Sequence, residues 1–197
     1  MRIFLAGASG AIGLRLVPLL LEAGHEVAGL TRSPRKAATL RALGAEPVVA
    51  DVYEAAALAA AVSAFGPELV MHQLTDLPDH AGELAAARGA NARMRIEGSD
   101  SLLAATRAAG ASRFLAQSIA WQLPGAGAKA VAHLERATLD FGGVVLRYGQ
   151  FYGPGTYHEG EPPEPPRIQI DAAAARTAEL LETPSGVVTI VDPDDSA

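Results

Sequence analysis

The sequence predicts an α/β protein built on a doubly wound parallel sheet of about seven strands, with helices on both faces. Three observations predict this fold class. Short apolar runs alternate with longer alanine-rich stretches along the whole chain. Each apolar run has the length of a strand that is buried on both faces, as strands of parallel sheets are. The 197 residues suffice for one such sheet with right-handed crossovers, so we predict a single domain over residues 1–197.

The predicted elements follow one another in strict alternation. Seven apolar runs are predicted as strands: 2–6, 26–32, 47–51, 69–74, 113–119, 144–148 and 187–191. Six stretches between them are predicted as helices: 11–23, 34–43, 54–65, 80–109, 128–141 and 171–182. Gly24, Gly44, Gly66 and Gly110 each come directly after one of these helical stretches, where helices commonly end.

One segment departs from the alternation. Residues 159–166 have the sequence EGEPPEPP, which can form neither a helix nor a central strand because proline lacks the backbone donor. It is therefore predicted as a loop. Two interpretations stay open: a solvated acidic linker, or part of a lid at 153–170 over a pocket at the carboxyl ends of the strands.

Composition excludes several classes of protein. The net charge of −6 disfavours a nucleic-acid-binding protein, which normally carries a basic face. The chain has no cysteine, so disulfides and thiolate chemistry are excluded, and no metal site is predicted. No apolar run approaches the roughly 20 residues of a membrane span. The first residues lack the pattern of a signal peptide. We expect a cytoplasmic protein with neither a nucleic-acid nor a membrane partner.

A glycine-rich turn follows the first predicted strand. Glycines at positions 7, 10 and 13 stand between that strand and an apolar helix. Such glycines allow a tight turn and let backbone N–H groups approach a pyrophosphate, which the helix amino end attracts. The residues predicted to hold the pyrophosphate are Gly7, Ser9, Gly10, Ala11, Ile12 and Gly13.

The end of the second strand indicates which nucleotide binds. An NAD site usually presents a carboxylate there to the ribose hydroxyls. This chain instead has Thr31 and Arg32, followed by Arg35 and Lys36, with no carboxylate among residues 29–36. Guanidinium groups suit a 2′-phosphate, so NADP(H) is preferred and NAD(H) is possible. Arg35 and Lys36 have an alternative interpretation as a solvated first helical turn.

Several motifs together resemble one superfamily. They are the GxxGxxG turn, Asp51-Val52, the run VMHQLT at 70–75, Asn91, RFLAQS at 113–118 and VLRYGQFYGPG at 145–155. In this combination the chain resembles the extended or atypical branch of the short-chain dehydrogenase/reductase superfamily, the NAD-dependent epimerase/dehydratase-like proteins. The resemblance implies a Rossmann-like fold, a small-molecule substrate with a hydroxyl or carbonyl group, and a homodimer formed through the long helices.

The resemblance also implies the remaining cofactor contacts. These are Asp51 and Val52 at the adenine, Gln73, Leu74 and Thr75 along the cofactor beside the fourth strand, Asn91 as support of the helix packed against that strand, and Tyr148 and Gln150 near the nicotinamide. His72 lies inside a predicted strand, so we interpret it as a core histidine rather than a base.

The usual proton-transfer residues are incomplete. Members of the superfamily use a Ser or Thr and a Tyr-x-x-x-Lys pair, in which lysine lowers the pKa of the phenol. Ser118 matches the serine. If Lys129 is the lysine, the tyrosine position is Gly125. If the register runs through Glu135, the two positions are Gly127 and Val131. Substitute acids are Tyr148, Tyr152, Tyr157, His158 and Lys129, and the predicted catalytic residues are Ser118, Lys129 and Tyr152.

Few residues follow Tyr152, so the C-terminal substrate domain is predicted to be much reduced, and the pocket to be open or completed by a second subunit. Three functions stay open. The first is an NADP(H)-dependent oxidoreductase or an epimerase/dehydratase-like enzyme. The second is a non-catalytic NADP(H)-binding sensor. The third is a redox-silent lyase or isomerase.

Overall fold

A computed structural model describes residues 1–195, in which the chain forms nine strands and seven α-helices. The strands are β1 Arg2–Ala6, β2 Glu26–Thr31, β3 Glu46–Val49, β4 Leu69–His72, β5 Arg113–Ile119, β6 Val144–Tyr148, β7 Gln150–Tyr152, β8 Arg167–Gln169 and β9 Gly186–Ile190. The helices are α1 Gly13–Glu22, α2 Pro34–Ala42, α3 Ala55–Phe65, α4 Arg88–Arg93, α5 Ser99–Ala108, α6 Gly125–Asp140 and α7 Ile170–Ala178.

Seven strands make one parallel sheet in the order β3-β2-β1-β4-β5-β6-β9. The predicted doubly wound sheet is therefore confirmed. The strand order reverses next to β1, where β2 lies on one side and β4 on the other. Ala6 pairs with Leu30 of β2 and with His72 of β4, so the three carboxyl ends meet at one level. Ligands of such sheets bind in the crevice outside this point of reversal.

Helices cover both faces of the sheet. On one face α1, α2 and α7 bury side chains such as Leu16, Leu40 and Ala173 against the sheet. On the other face α3, α5 and α6 bury Leu58, Leu102 and other apolar residues. The abundant alanine allows these helices to pack closely on the strands. No helix within residues 1–195 is both long and apolar enough to cross a membrane.

The prediction of one helix over residues 80–109 holds for residues 88–108, which are continuously helical with one π-helical turn, and is wrong for residues 80–87. The structure has a short 3₁₀ turn at Ala81–Glu83, then α4, a π-helical turn at Met94–Gly98, and α5. Residues 80–87 are mostly exposed and carry little apolar surface. Their alanines favour a helix, but helices in proteins gain most of their stability from packing an apolar face, which this stretch lacks.

A small second sheet lies after β6. It pairs β7 with β8 in parallel, and β8 leads directly into α7. The prediction of seven strands missed both of these three-residue strands. Residues 153–166 contain no helix or strand. The single domain, the lid and the homodimer stay predictions.

Candidate nucleotide-binding and active site

The glycine-rich turn is built from close backbone contacts. Gly7 has a φ of +92°, and a Cβ there would lie 2.5 Å from the carbonyl oxygen of Gln73, just after β4. A Cβ on Gly13 would lie 2.2 Å from the carbonyl oxygen of Gly7. Both positions therefore need glycine, because any side chain would force β1, α1 and the end of β4 apart.

The amino end of α1 suits an anion. No side chain caps it, and no acidic residue lies in its first turn. Arg15 lies in this turn and donates hydrogen bonds to the carbonyl oxygens of Ala11 and Pro154 while pairing with Asp171. Unpaired N–H groups and the helix dipole favour a phosphate at such a helix end.

Polar side chains connect this turn to the end of β2. The Ser9 hydroxyl donates to Thr31 Oγ1 over 3.0 Å, and Thr31 Oγ1 also accepts the backbone N–H of Ser33 over 3.2 Å. Ser33 in turn caps α2 by accepting the N–H of Lys36. Arg32 follows Thr31 and is exposed, and one of its Nη atoms lies 3.1 Å from a carboxylate oxygen of Asp76.

The ends of β3 and β4 lie beside this group. Asp51 accepts the backbone N–H of Tyr53 over 3.0 Å, and Val52 is buried. The buried Asn91 of α4 accepts the backbone N–H of Asp76 over 3.1 Å. Contacts therefore link the glycine turn, the end of β2, the loop after β4 and α4. Leu74 and Thr75 belong to the same loop and are partly buried.

His72 is a satisfied core histidine, as the sequence predicts. Its Nδ1 accepts the backbone N–H of Leu74 over 3.2 Å, so the ring proton is on Nε2. Nε2 donates to the Ser99 hydroxyl over 3.0 Å, and that hydroxyl donates to the carbonyl oxygen of Arg95. Burial, with a smaller effect of Arg95, lowers the pKa of His72 to about 4.

Two buried amide oxygens have no partner among residues 1–195. They belong to Gln73, next to β4, and to Gln117 of β5. His72 pairs with Ala116, so the two glutamines lie one step further along neighbouring strands. Unpaired buried acceptors are costly and suit a ligand that donates hydrogen bonds. The glycine turn and these acceptors together fit a dinucleotide with a carboxamide group.

Ser118 has a structural partner. Its hydroxyl donates to Glu135 Oε1 over 2.6 Å, and Arg147 donates to both oxygens of Glu135 over 2.8 and 2.6 Å. Burial alone would raise the pKa of Glu135, but hydrogen bonds from Arg147 and Ser118 outweigh it and lower the pKa. This group, in which Ser118 is buried and Glu135 and Arg147 are partly exposed, ties α6 to β5 and β6. A catalytic role for Ser118 stays a prediction.

Every tyrosine of the chain has a raised pKa. Burial raises the pKa of Tyr53, Tyr148 and Tyr157, and a hydrogen bond to Asp192 raises that of Tyr152. Tyr148 is part of the core, where its hydroxyl lies 2.7 Å from Thr177 Oγ1 and 3.4 Å from the Gln73 amide nitrogen. None of these phenols has the lowered pKa on which the superfamily's proton transfer depends.

The structure does not bring the three predicted catalytic residues together. Ser118 bonds Glu135, Tyr152 donates to Asp192 over 2.9 Å, and Lys129 is exposed on α6. No hydrogen bond or ion pair joins any two of them in the part of the chain that the structure describes.

Neither of the two positions expected for the tyrosine, Gly125 and Gly127, has a proton-donating side chain. Gly125 is the first residue of α6, with open space beside it. Gly127 lies against Leu123, whose side chain a Cβ would approach to 3.2 Å. In the register through Glu135, Leu123 therefore covers the place from which the phenol would project.

Segment 153–170 contacts both sides of the crevice. The Tyr157 hydroxyl donates to the carbonyl oxygen of Pro78 in the loop after β4, and Arg15 of α1 bonds Pro154. Gln150 donates to the carbonyl oxygen of Glu164 over 3.1 Å.

A comparison with protein families shows which family the chain belongs to. A family model described as NAD(P)H-binding matches residues 7–139, which is more than half of the chain. The chain belongs to the NAD(P)H-binding family. Across its whole length this family member is 38% identical to a 3-diazoavenalumate denitrifying reductase of a Streptomyces species, and covers 69% of that enzyme.

Solved structures share the fold of this family member. The UDP-glucose 4-epimerase of Thermus thermophilus, in complex with NAD, has a TM-score of 0.77 and 20% identity, with 97% of this chain and 78% of that chain covered. The anaerobillin reductase ChuY of Escherichia coli O157:H7 has a TM-score of 0.73 and 20% identity, with 98% of both chains covered. At 20% identity these two matches confirm the predicted Rossmann-like fold, which the chain shares with an epimerase and a reductase.

Two features of the site were missed from the sequence of this NAD(P)H-binding protein. Asp76 lies in the loop after β4 and reaches Arg32 at the end of β2. Only the order of the strands in the sheet makes these two residues neighbours. In the sequence, Glu135 has no role beyond one possible register of the Tyr-x-x-x-Lys positions. In the structure its bonds to Ser118 and Arg147 link α6 to two strands. The one signal in the sequence for a role of Asp76 is its position directly after the motif at 70–75.

Proposed function

We propose that the chain is an NAD(P)H-dependent reductase of a small molecule. The observation that carries this proposal is the 38% identity to a reductase over the whole chain. Membership of the NAD(P)H-binding family supports the cofactor, which when bound supplies a hydride. The glycine turn and the amino end of α1 would hold its pyrophosphate. The amide oxygens of Gln73 and Gln117 would accept hydrogen bonds from its carboxamide.

NADP(H) is the preferred nucleotide in this proposal. Arg32, Arg35 and Lys36 are exposed at the end of β2 and in the first turn of α2. That turn contains no acidic residue, so nothing on α2 offsets its positive end. These cations and the helix end would hold a 2′-phosphate, with Arg32 as its main partner.

The substrate class follows from the state of the tyrosines. A carbonyl group of ordinary reactivity needs an acid at its oxygen while hydride arrives. The Tyr-x-x-x-Lys pair is absent, the Tyr148 hydroxyl is buried beside Thr177, and the Tyr152 and Tyr157 hydroxyls donate to Asp192 and to the carbonyl oxygen of Pro78. We infer an acceptor electrophilic enough to take hydride without a protein acid, with any proton coming from water. Electron-poor conjugated carbonyls and diazo compounds belong to this class, and the name of the Streptomyces relative refers to a diazo compound.

Hydride transfer can be followed directly. NADPH deuterated at C4 of the nicotinamide is incubated with the protein and a panel of electron-poor carbonyl and diazo compounds. We expect deuterium in the reduced product and one NADP⁺ formed for each product molecule. Tight binding of NADPH without consumption by any member of the panel would overturn the reductase and favour a sensor.

Arg32→Ala tests the choice of nucleotide. We expect NADPH binding to weaken by about tenfold or more, because a charge-assisted bond is lost, while NADH binding changes little. Arg41→Ala is the matched control, since Arg41 is exposed in the last turn of α2, the helix that follows Arg32. Equal losses for both nucleotides would reject Arg32 as the phosphate ligand.

A further inference from the structure

A carboxylate reaches the end of β2 from the loop that follows β4. Asp76 lies in the loop after β4, and its Oδ1 accepts a hydrogen bond from Arg32 Nη2 over 3.1 Å. In the sheet order, β1 lies between β2 and β4, so this ion pair spans the carboxyl end of β1, where the glycine turn begins. A carboxylate therefore lies beside the carboxyl end of β2, although residues 29–36 contain none.

Asp76 is the better fixed of the two partners. Its backbone N–H is held by the buried side chain of Asn91. Its side chain is 29% exposed, whereas that of Arg32 is 53% exposed. An ion pair this exposed contributes little stability, so a ligand can separate it or share it. The carboxylate stays near the nucleotide in either case.

The surroundings of Asp76 balance its charge. Tyr53 has a buried hydroxyl without a partner within residues 1–195, and its pKa is raised by burial and by Asp76. The guanidinium of Arg93 lies 4.0 Å from the Tyr53 ring centre and is paired with Glu97 over 2.8 Å. Two cations, Arg32 and Arg93, therefore lie among the acids Asp76, Glu97 and Asp51, so the Asp76 charge is offset by its neighbours.

We propose that Asp76 is a specificity-determining residue for the nucleotide. Its carboxylate accepts hydrogen bonds from the ribose hydroxyls of NAD(H), and its charge opposes the 2′-phosphate of NADP(H) and competes for Arg32. Arg32 and Asp76 thus act in opposite directions, and the chain discriminates less between the two nucleotides than the cations at 32–36 alone would allow. This inference rests on the proposed nucleotide binding.

Binding titrations of the Asp76→Asn variant test the proposal. The fluorescence of NADPH and of NADH is followed as protein is added, and the ratio of the NADH to the NADPH dissociation constant is compared with the unmodified chain. We expect this ratio to rise about tenfold, through tighter NADPH binding and unchanged or weaker NADH binding. The variant removes the negative charge that opposes the 2′-phosphate and weakens the hydrogen bonds to the ribose hydroxyls of NADH.

Two further variants make the test specific. Asp79→Asn removes the same charge from an exposed position of the same loop and should leave the ratio within about twofold, since exposed charges are screened. Asp76→Ser replaces the asparagine variant if that variant does not fold, as judged by thermal unfolding. A ratio that stays constant, or one that changes equally in the Asp79→Asn control, overturns the role of Asp76.

The proposed function fails in a different way. If the unmodified chain binds neither nucleotide, the cofactor proposal is wrong. If it binds them and Asp76→Asn tightens both by the same factor, the cofactor proposal stands and the specificity role is rejected.

Discussion

Two regions of the site differ in how they are built. The first lies at the carboxyl ends of β1, β2 and β4, and the second lies at the ends of β5 and β6. In the first region, backbone atoms approach so closely that Gly7 and Gly13 tolerate no side chain. In the second region, the side chains expected to move protons have internal partners. Ser118 bonds Glu135, and Tyr152 bonds Asp192. The nucleotide half has the close-packed glycine turn, while the proton-transfer half lacks the phenol of the Tyr-x-x-x-Lys pair.

The contrast separates two kinds of site. A pyrophosphate site depends on backbone N–H groups and a helix end, so a short glycine motif specifies it. A proton-transfer site depends on side chains whose pKa values are set by their neighbours. Loss of one residue can remove the chemistry of such a site without affecting the fold. The chain can therefore bind the cofactor of its family and still react differently.

The nucleotide half should be the more sensitive to substitution. Gly13→Ala would place a Cβ 2.2 Å from the Gly7 carbonyl oxygen. We expect the free energy of unfolding to fall by about 3 kcal/mol, because overpacking strains the turn. NADPH affinity should fall at least tenfold, as measured by titration. Gly89→Ala is the control, since nothing lies within 4 Å of a Cβ there. Equal behaviour of the two variants would contradict the close-packed turn.

The group around Glu135 should affect stability rather than cofactor binding. Glu135 is only 12% exposed, and its removal leaves Arg147 and Ser118 without their acceptor. We expect Glu135→Ala to lower the free energy of unfolding by about 2 kcal/mol, as measured by urea unfolding, with NADPH affinity unchanged. Glu97→Ala breaks an exposed helical pair and should cost no more than about 0.5 kcal/mol. A large loss of NADPH affinity in Glu135→Ala would contradict the prediction that this group affects stability and not cofactor binding.

His72 should make stability depend on pH. Its folded pKa of about 4 lies below the unfolded value of 6.5, so between these values the unfolded chain binds the extra proton. This contribution is present above pH 6.5 and is lost as the pH falls towards 4. We expect about 1 kcal/mol less stability at pH 5 than at pH 6 from this group. His72→Asn should flatten the profile over this range, and an unchanged slope would show that another group titrates there.

Much of the fold was predictable from the sequence. The bounds of β1, β5 and β6 match the predictions because each is a short apolar run buried in the sheet. The later start of the helix predicted over 80–109, at Arg88, was not predictable from composition. Whether an alanine-rich stretch finds a surface to pack on depends on residues far away in sequence.

The sequence by itself determined the parallel sheet, the glycine turn and the lack of the Tyr-x-x-x-Lys pair, because each depends on local pattern. Only the tertiary structure decided that Asp76 faces Arg32 and that Ser118 donates to Glu135. Both contacts join residues on different elements, and their distances follow from strand order and helix packing. Such contacts determine charge balance and pKa values, so they determine the chemistry of a site that local pattern can only locate.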